Sequence, residues 1–499
     1  MIKQWFSSYQ SLFIILLLLV SVLYIFLTKR TSKALNLPPS PQWLPVIGNL
    51  LQIGPLIHRS LDALSKKHGP LMLLRLGSFP TLVLQSSQAF QEIIRIHDPD
   101  FSNRPIFYAS HLFAYKARDI VFCPYGDAWR QSRKICLLHL LSSKMVKELR
   151  SIRDEEIAEM VREIDRLIAR GSKTVVNINV LLYDLAVNVI CTSAAGGKSY
   201  VAAYKALLRD AQKLAAQFCF EDVFPWLGWV DGLTGYRANV RHSFGDLDRL
   251  LEQIIRDQSE KIAANVKPHR KNFAYALVRL QREGKLDIEL DLDNIKGILQ
   301  SMLAAATDTV PSNMEWAMAE LLRHPNVLRK AQEEVRRVVG SGKERVEESE
   351  IEQMKYLKSV IKESLRLHGS GIYTRETSKD IKLCGYDIPA KTRVIINNWA
   401  SHRDPTIWEN PEEFIPERWV SCMDGEEMKG KYIPFGFGRR ICPGMNYAVA
   451  MMETLVANLL YLYDWELPEG VTPDNMDVSE KFAQAIHLKH PLMLVPLKP

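Results

Sequence analysis

Residues 431–451 read KYIPFGFGRRICPGMNYAVAM, and the most specific chemistry of the chain is concentrated there. Cys442 stands close to glycines, just ahead of an apolar segment that reads as a helix. Thiolates are soft ligands suited to iron, and thiolate ligation is one of the ways a protein holds haem. A helix opening near Met445 is expected to bring its positive end close to the sulfur and favour the deprotonated form. Gly436 and Gly438 admit turns that other residues resist, and Gly444 admits close approach of the backbone to a flat ligand. Arg440, two residues before the cysteine, can hydrogen-bond a carboxylate such as a propionate.

The stretch matches Phe-x-x-Gly-x-Arg-x-Cys-x-Gly at Phe435, Gly438, Arg440, Cys442 and Gly444. Five fixed positions recur by chance on the order of 10⁻⁴ times in a chain of this length. A buried cysteine in a Gly-rich turn accounts for Cys442 alone, not for the whole pattern. The pattern resembles the haem-binding loop of the cytochromes P-450, the haem-thiolate monooxygenases. The loop itself (PFGFGRRICPG) and two further stretches, YGDAWRQSRKIC and DPTIWENPEEFIPERW, resemble the plant microsomal branch of that family. The resemblance spans the chain from end to end.

Composition agrees with a large globular core. Of 499 residues, 47% are hydrophobic and 24% charged. The seven cysteines (123, 136, 191, 219, 384, 422, 442) are scattered without Cys-x-x-Cys spacing. An odd, dispersed set argues against a disulfide framework and fits a reducing compartment. No flavin or nicotinamide motif is visible, so reducing electrons must come from outside. The net charge of +7 fits an acidic partner, with Arg130, Lys134 and Arg439 as candidates for the docking face.

Leu12 to Leu27 is almost unbroken apolar sequence, approaching the roughly 20 residues a membrane helix needs. Lys29, Arg30 and Lys33 follow it, and the heavier positive flank stays cytosolic. Residues 1–30 are therefore expected to be a retained membrane anchor with a basic stop. Residues 31–50, rich in proline (38, 39, 41, 45), read as a stiff hinge. Residues 51–499 are expected to form one mainly α catalytic domain with a small β-rich region.

Along that domain, Leu71–Gln85 reads as a β-hairpin and Phe101–Asp127 as a long loop without regular period. Trp129 and Arg133, four apart, share a helix face. From about Asp293 to His324 runs the longest helical pattern, roughly 45 Å at 1.5 Å per residue, ended by His324-Pro325. Its middle is apolar, and Asp308 and Thr309 follow at once; a charge so deep needs a purpose or a partner. Pro311 removes a hydrogen bond and is expected to kink the helix. Glu363 and Arg366 are three apart on an amphipathic helix, and Arg418 follows in FIPERW.

The resemblance assigns roles to these residues. It implies haem b ligated by Cys442 as the only protein metal ligand. Phe435 and Gly444 belong to the loop, and Trp129, Arg133, Arg375 and Arg440 hold the propionates. Ala305-Ala306-Thr307-Asp308-Thr309 resembles the oxygen-activation motif, with alanine at Ala306 where glycine is usual. Thr309 and Asp308 would control proton delivery. Glu363, Arg366 and Arg418 would form a buried structural network. Ala305, Ala306, Ile372, Tyr373 and Thr374 would line the substrate pocket, although 369–374 (GSGIYT) lacks the usual prolines and looks two residues short. The implied activity is oxidation of a small apolar specialised metabolite, of terpenoid or aromatic class, using O2. NADPH electrons would arrive through a membrane-bound cytochrome P-450 reductase, at the endoplasmic reticulum membrane with the catalytic domain cytosolic. No nucleic acid is expected as a partner. Two rival readings share the same loop: a haem-thiolate isomerase or dehydratase needing no external electrons, and a non-enzymatic haem-binding sensor.

Overall fold

The computed structural model describes residues 35–171, 173–268, 270–420 and 428–499. The expected anchor (1–30), the first hinge residues (31–34) and Cys422 lie outside them. The described part of the proline-rich stretch lies along the body of the protein: the Leu73 N–H donates to the Pro39 carbonyl at 2.9 Å, and the Asn36 N–H donates to Asp387 at 3.0 Å.

Helices dominate, and the longest runs from Leu292 to Arg323. It opens on a capping box in which Asp291 accepts from the Asn294 N–H at 2.8 Å and Asn294 accepts in return. It ends at His324, before Pro325, as the spacing predicts. It packs against the Ile178–Ala195 helix. That neighbour is long and apolar enough to cross a bilayer, but 67% of it is buried inside the protein, which makes it a core helix. The long helix continues through Pro311 rather than breaking. The Asn313 side chain supports this turn by donating to the Thr309 carbonyl at 2.7 Å.

The hairpin forms as expected, with strands Leu71–Leu76 and Phe79–Leu84 turning through Gly77 at φ +60°. Leu71–Leu76 forms one edge of a four-stranded sheet. Phe79–Leu84 pairs parallel with Arg393–Asn397, which pairs antiparallel with Ile372–Glu376. A compact apolar cluster under this sheet includes Leu82, Leu84, Phe90, Val394, Ile396 and Phe437. Phe437 thus ties the cysteine loop to the sheet. Within 101–127, read from sequence as loop, the structure places a short helix, Tyr108–Phe113. Asp119 pins that segment down: it accepts from the N–H groups of Val121, Phe122 and Cys123 and from Ser301 of the long helix.

The Lys355–His368 helix carries Glu363 and Arg366, both fully buried. Arg366 donates to both Glu363 oxygens, at 2.9 and 2.8 Å. Arg418 and the Trp419 indole complete the carboxylate's shell at 2.9 and 2.8 Å. Arg366 also donates to the His402 and Pro411 carbonyls, each at 2.7 Å. His402 carries the network onward. Its Nδ1 lies 3.0 Å from the Arg366 carbonyl, and its Nε2 accepts from the Ile433 N–H at 2.9 Å. Burial and the Arg366 charge push its pKa down to about 3, so it is neutral and serves as donor at Nδ1 and acceptor at Nε2.

Because the folded-state pKa of His402 lies below its unfolded value near 6.5, the unfolded chain takes up the proton first on acidification. This contribution is complete above about pH 6.5 and is lost as pH falls toward 3. His402→Gln is expected to flatten the acid limb of stability between pH 6 and pH 4 by up to about 1.4 kcal/mol per pH unit. Urea unfolding across that range measures it, and an unchanged slope would contradict the assignment.

Candidate functional site

The cysteine loop is set by two glycines with left-handed backbone, Gly436 (φ +77°) and Gly438 (φ +62°). A Cβ on Gly438 would fall 2.1 Å from Asp98 Oδ1. Asp98 Oδ2 in turn accepts from the Arg439 N–H and guanidinium, both at 2.9 Å. The Cys442 N–H donates to the Phe435 carbonyl at 2.9 Å, closing the loop, and the Met445–Leu462 helix opens immediately after Gly444.

The Cys442 side chain has accessible surface, yet burial is the largest influence on its thiol and raises its pKa; the Gly444 N–H and Arg133 pull the other way and do not win. An atom that is both accessible and enclosed by protein lines an internal space. The expected shift toward thiolate is therefore not produced by the protein alone. A bound metal cation would supply the missing charge.

The long helix presents a matching face. Ala305 is exposed although Leu303 and Thr307, two residues to either side, are buried. Thr309, one turn on from Ala305, shares that face and donates its hydroxyl to the Ala305 carbonyl at 2.8 Å. Ala306 packs against the main core. The helix contacts the Met445–Leu462 helix that follows Cys442. Asp308 turns elsewhere: its carboxylate accepts from the Ala485 N–H and pairs with His487 Nε2, both at 3.2 Å.

Three guanidiniums gather beside the loop. Arg375 donates to the Phe437 carbonyl at 2.6 Å. Arg440 donates to the Ser102 carbonyl at 2.7 Å and to the Cys123 carbonyl. Arg104, which sequence reading missed, donates to the Thr374 carbonyl. Burial, then mutual repulsion involving Arg104, lowers Arg375 and Arg440 to about 9; burial lowers Arg104 to about 10. The Nε of Arg104 and the Nη1 of Arg375 are buried without a hydrogen-bond partner. Asp98, at 3.6 Å from Arg375 Nη1, is too far for a hydrogen bond. Crowded cations with unused donors form a receptor for a group carrying two negative charges.

Trp129 and Arg133 lie on the Asp127–Ile135 helix, as expected. The indole N–H donates to the Ile120 carbonyl at 3.0 Å and Arg133 to the Ile441 carbonyl at 2.6 Å. The indole N–H and one Arg133 N–H thus reach separate backbone groups, while the guanidinium lies 5.5 Å from the Trp129 ring. The guanidinium of Arg440 stacks over the Trp129 ring at 4.3 Å.

The 369–374 segment leads into an edge strand of the sheet. Gly371 has φ +80°, and a Cβ there would meet Ile486 Cδ1 at 2.6 Å; the missing side chain makes room for the C-terminal hairpin. The Ile486 carbonyl accepts from Ser312 and from Trp316 at 2.7 and 2.8 Å. Ile372 and Thr374 are half-buried. Tyr373 turns its polar end to the cysteine loop: its one hydroxyl proton is shared between the Ile433 and Pro434 carbonyls.

Comparison with known proteins gives one consistent result. Residues 38–493 match the family model for cytochrome P-450. The chain is 39% identical over 485 residues to desmethylyatein synthase of Sinopodophyllum hexandrum, covering 96% of this chain and 97% of that one. It is 40% identical over 504 residues to phenylacetaldehyde oxime monooxygenase of Prunus mume, covering 98% and 95%. It is 40% identical over 501 residues to strychnine-11-hydroxylase of Strychnos nux-vomica, covering 98% and 97%. A zebrafish cytochrome P-450 structure with progesterone superposes with a TM-score of 0.74 at 22% identity, over 88% of this chain and 99% of that one.

The two glycines flanking the cysteine make a clean contrast. Gly438→Ala combines a left-handed backbone with a collision and is expected to cost about 2 kcal/mol or more. Gly444→Ala, whose Cβ would lie at an ordinary 3.8 Å from Cys442 Sγ, is expected to stay within about 1 kcal/mol. Urea unfolding of the two variants compares them directly.

Proposed function

The chain belongs to the cytochrome P-450 family, and from that premise we propose that it is a membrane-anchored haem-thiolate monooxygenase of plant specialised metabolism, taking electrons from NADPH through a separate reductase. The observation that carries this reading is the Cys442 thiol, enclosed yet accessible, on a loop walled by three crowded guanidiniums. Haem b has the thiolate-seeking iron and the two carboxylates that this donor set lacks. When bound through Cys442, it supplies reductive activation of dioxygen and transfer of one oxygen atom.

The residues divide the remaining work. Arg104, Arg375 and Arg440 hold the propionates, with Trp129 stacked beneath Arg440 and Arg133 bracing the loop. Phe435 and Gly444 shape the cysteine turn. Ala305, with Ala306 packed behind it, would leave room for dioxygen and substrate beside bound haem; Thr309 and Asp308 handle protons; Glu363, Arg366 and Arg418 keep the loop region rigid. Ile372 and Thr374 face substrate. The relatives named as a hydroxylase, a synthase and an oxime monooxygenase support oxidation of a small plant metabolite, and the substrate class in this reading is an apolar terpenoid or aromatic compound. Arg130, Lys134 and Arg439 form the reductase face, on the cytosolic side of the endoplasmic reticulum membrane.

Expression in microsomes with a reductase and NADPH, followed by a screen for oxygenated products, tests the activity. Cys442→Ala is expected to abolish the carbonyl-complex band that thiolate ligation produces; a retained band would exclude Cys442 as ligand. Arg375→Gln is expected to weaken haem retention by about tenfold, as loss of one charge-assisted hydrogen bond of about 1.5 kcal/mol implies. Transfer of haem to apomyoglobin measures it.

A further inference from the structure

Asp308 lies next to the accessible face of the long helix but is turned to the C-terminal hairpin, strands Glu480–Phe482 and Ile486–Leu488. His487 is its partner at 3.2 Å, and the Ala485 N–H fixes the carboxylate from the same hairpin. The hairpin is itself held from both sides. Ser312 and Trp316 bind the Ile486 carbonyl, and Glu480 is bound by His58 and Arg59 at 2.9 and 2.5 Å. His487 therefore approaches Asp308 from a firm support.

Both members of the pair keep part of their surface, 16% for Asp308 and 20% for His487. That surface lines a recess of 250 Å³ shared with Asn179, Lys481 and Lys489, enough for several waters at about 30 Å³ each. Both lysines are exposed, so the recess reaches the outside. The charged and titratable groups around His487 are Asp308 and Glu315 from the long helix, Lys481 across its hairpin and Lys489 beyond it. Tyr183, on the Ile178–Ala195 helix, feels the Asp308 charge. Burial alone would lower the His487 pKa; the Asp308 hydrogen bond and the Asp308 and Glu315 charges outweigh it and raise the pKa, against Lys481.

We propose that this recess is the port through which solvent protons reach the long helix, and that His487 positions Asp308 and reloads it. Each transfer moves the Nε2 proton to the Asp308 carboxylate, and the imidazole takes its replacement from recess water exchanging with bulk buffer. Only N–H and O–H bonds change, and no electron moves. The inference rests on the reading of Asp308 and Thr309 as the proton-handling pair.

Two measurements test it. The first uses the ferrous carbonyl holoprotein labelled at histidine, with the His487 resonance identified by its loss in His487→Gln. Its pKa is expected to fall by about one pH unit in Asp308→Asn; a resonance that does not move overturns the pairing. The second uses the holoprotein with reductase, NADPH and dioxygen and no added substrate. It reads the fraction of electrons recovered as hydrogen peroxide (two electrons and two protons per dioxygen) rather than as water (four of each). His487→Gln and Asp308→Asn are each expected to raise that fraction about twofold or more, and the double variant no further. A rise in Asp308→Asn alone overturns the role of His487 and leaves the reading of Asp308 standing. No rise in either overturns both. His487→Lys, which restores a cation, is expected to recover part of the loss if the glutamine variant folds poorly; a folded lysine variant with no recovery counts against the pairing.

Discussion

A single carboxylate, Glu363, organises the region on which the cysteine loop depends. It is fully buried and accepts from two guanidiniums, one indole and the Ile415 N–H. Burying one ion pair is costly, and only a complete shell makes it tolerable. Here the shell is drawn from two separate stretches of chain, the Lys355–His368 helix and residues 415–419, so satisfying the charge and folding the region are the same event. The order then passes by contact: Arg366 binds the His402 carbonyl, and His402 binds the backbone of Ile433. Three residues later the chain enters its left-handed turns at Gly436 and Gly438. A loop of glycines has little stiffness of its own; its geometry is borrowed from the network behind it.

The same economy explains the site's electrostatics. The hydrogen bonds of Arg104, Arg375 and Arg440 go to carbonyl oxygens, and Asp98 pairs with Arg375 only at 3.6 Å. Carbonyls satisfy donors without cancelling charge, so the positive potential survives burial. The thiol of Cys442, by contrast, is kept from ionising by its surroundings. Positive charge at the rim and a neutral sulfur within suit a ligand that brings its own anions and its own cation.

Much of this was legible in the residues. The long helix could be placed within a residue at either end because its apolar middle and proline stop are local signals. The Leu71–Gln85 hairpin was equally visible, whereas the Glu363, Arg366 and Arg418 grouping was legible only through the family resemblance. What stayed hidden depends on distant partners. Arg104 sits in a stretch without period, and its meaning comes from Arg375 and Arg440, far along the chain. His402 looks like any histidine until Ile433 is set beside it. Asp308 announced that it needed a partner, but nothing local pointed to His487. Tyr373 was assigned to the pocket by position, whereas its hydroxyl follows the carbonyls of the adjoining loop.

Gly371 has a consequence for how this site can change. Its bare α-carbon is the seat of Ile486, so the turn after the Lys355–His368 helix and the C-terminal hairpin occupy one volume between them. Any larger residue at 371 would put its atoms where a branched side chain already stands. The two segments are therefore interlocked: a side chain at 371 and the present isoleucine at 486 exclude one another, so each position limits the substitutions the other can accept.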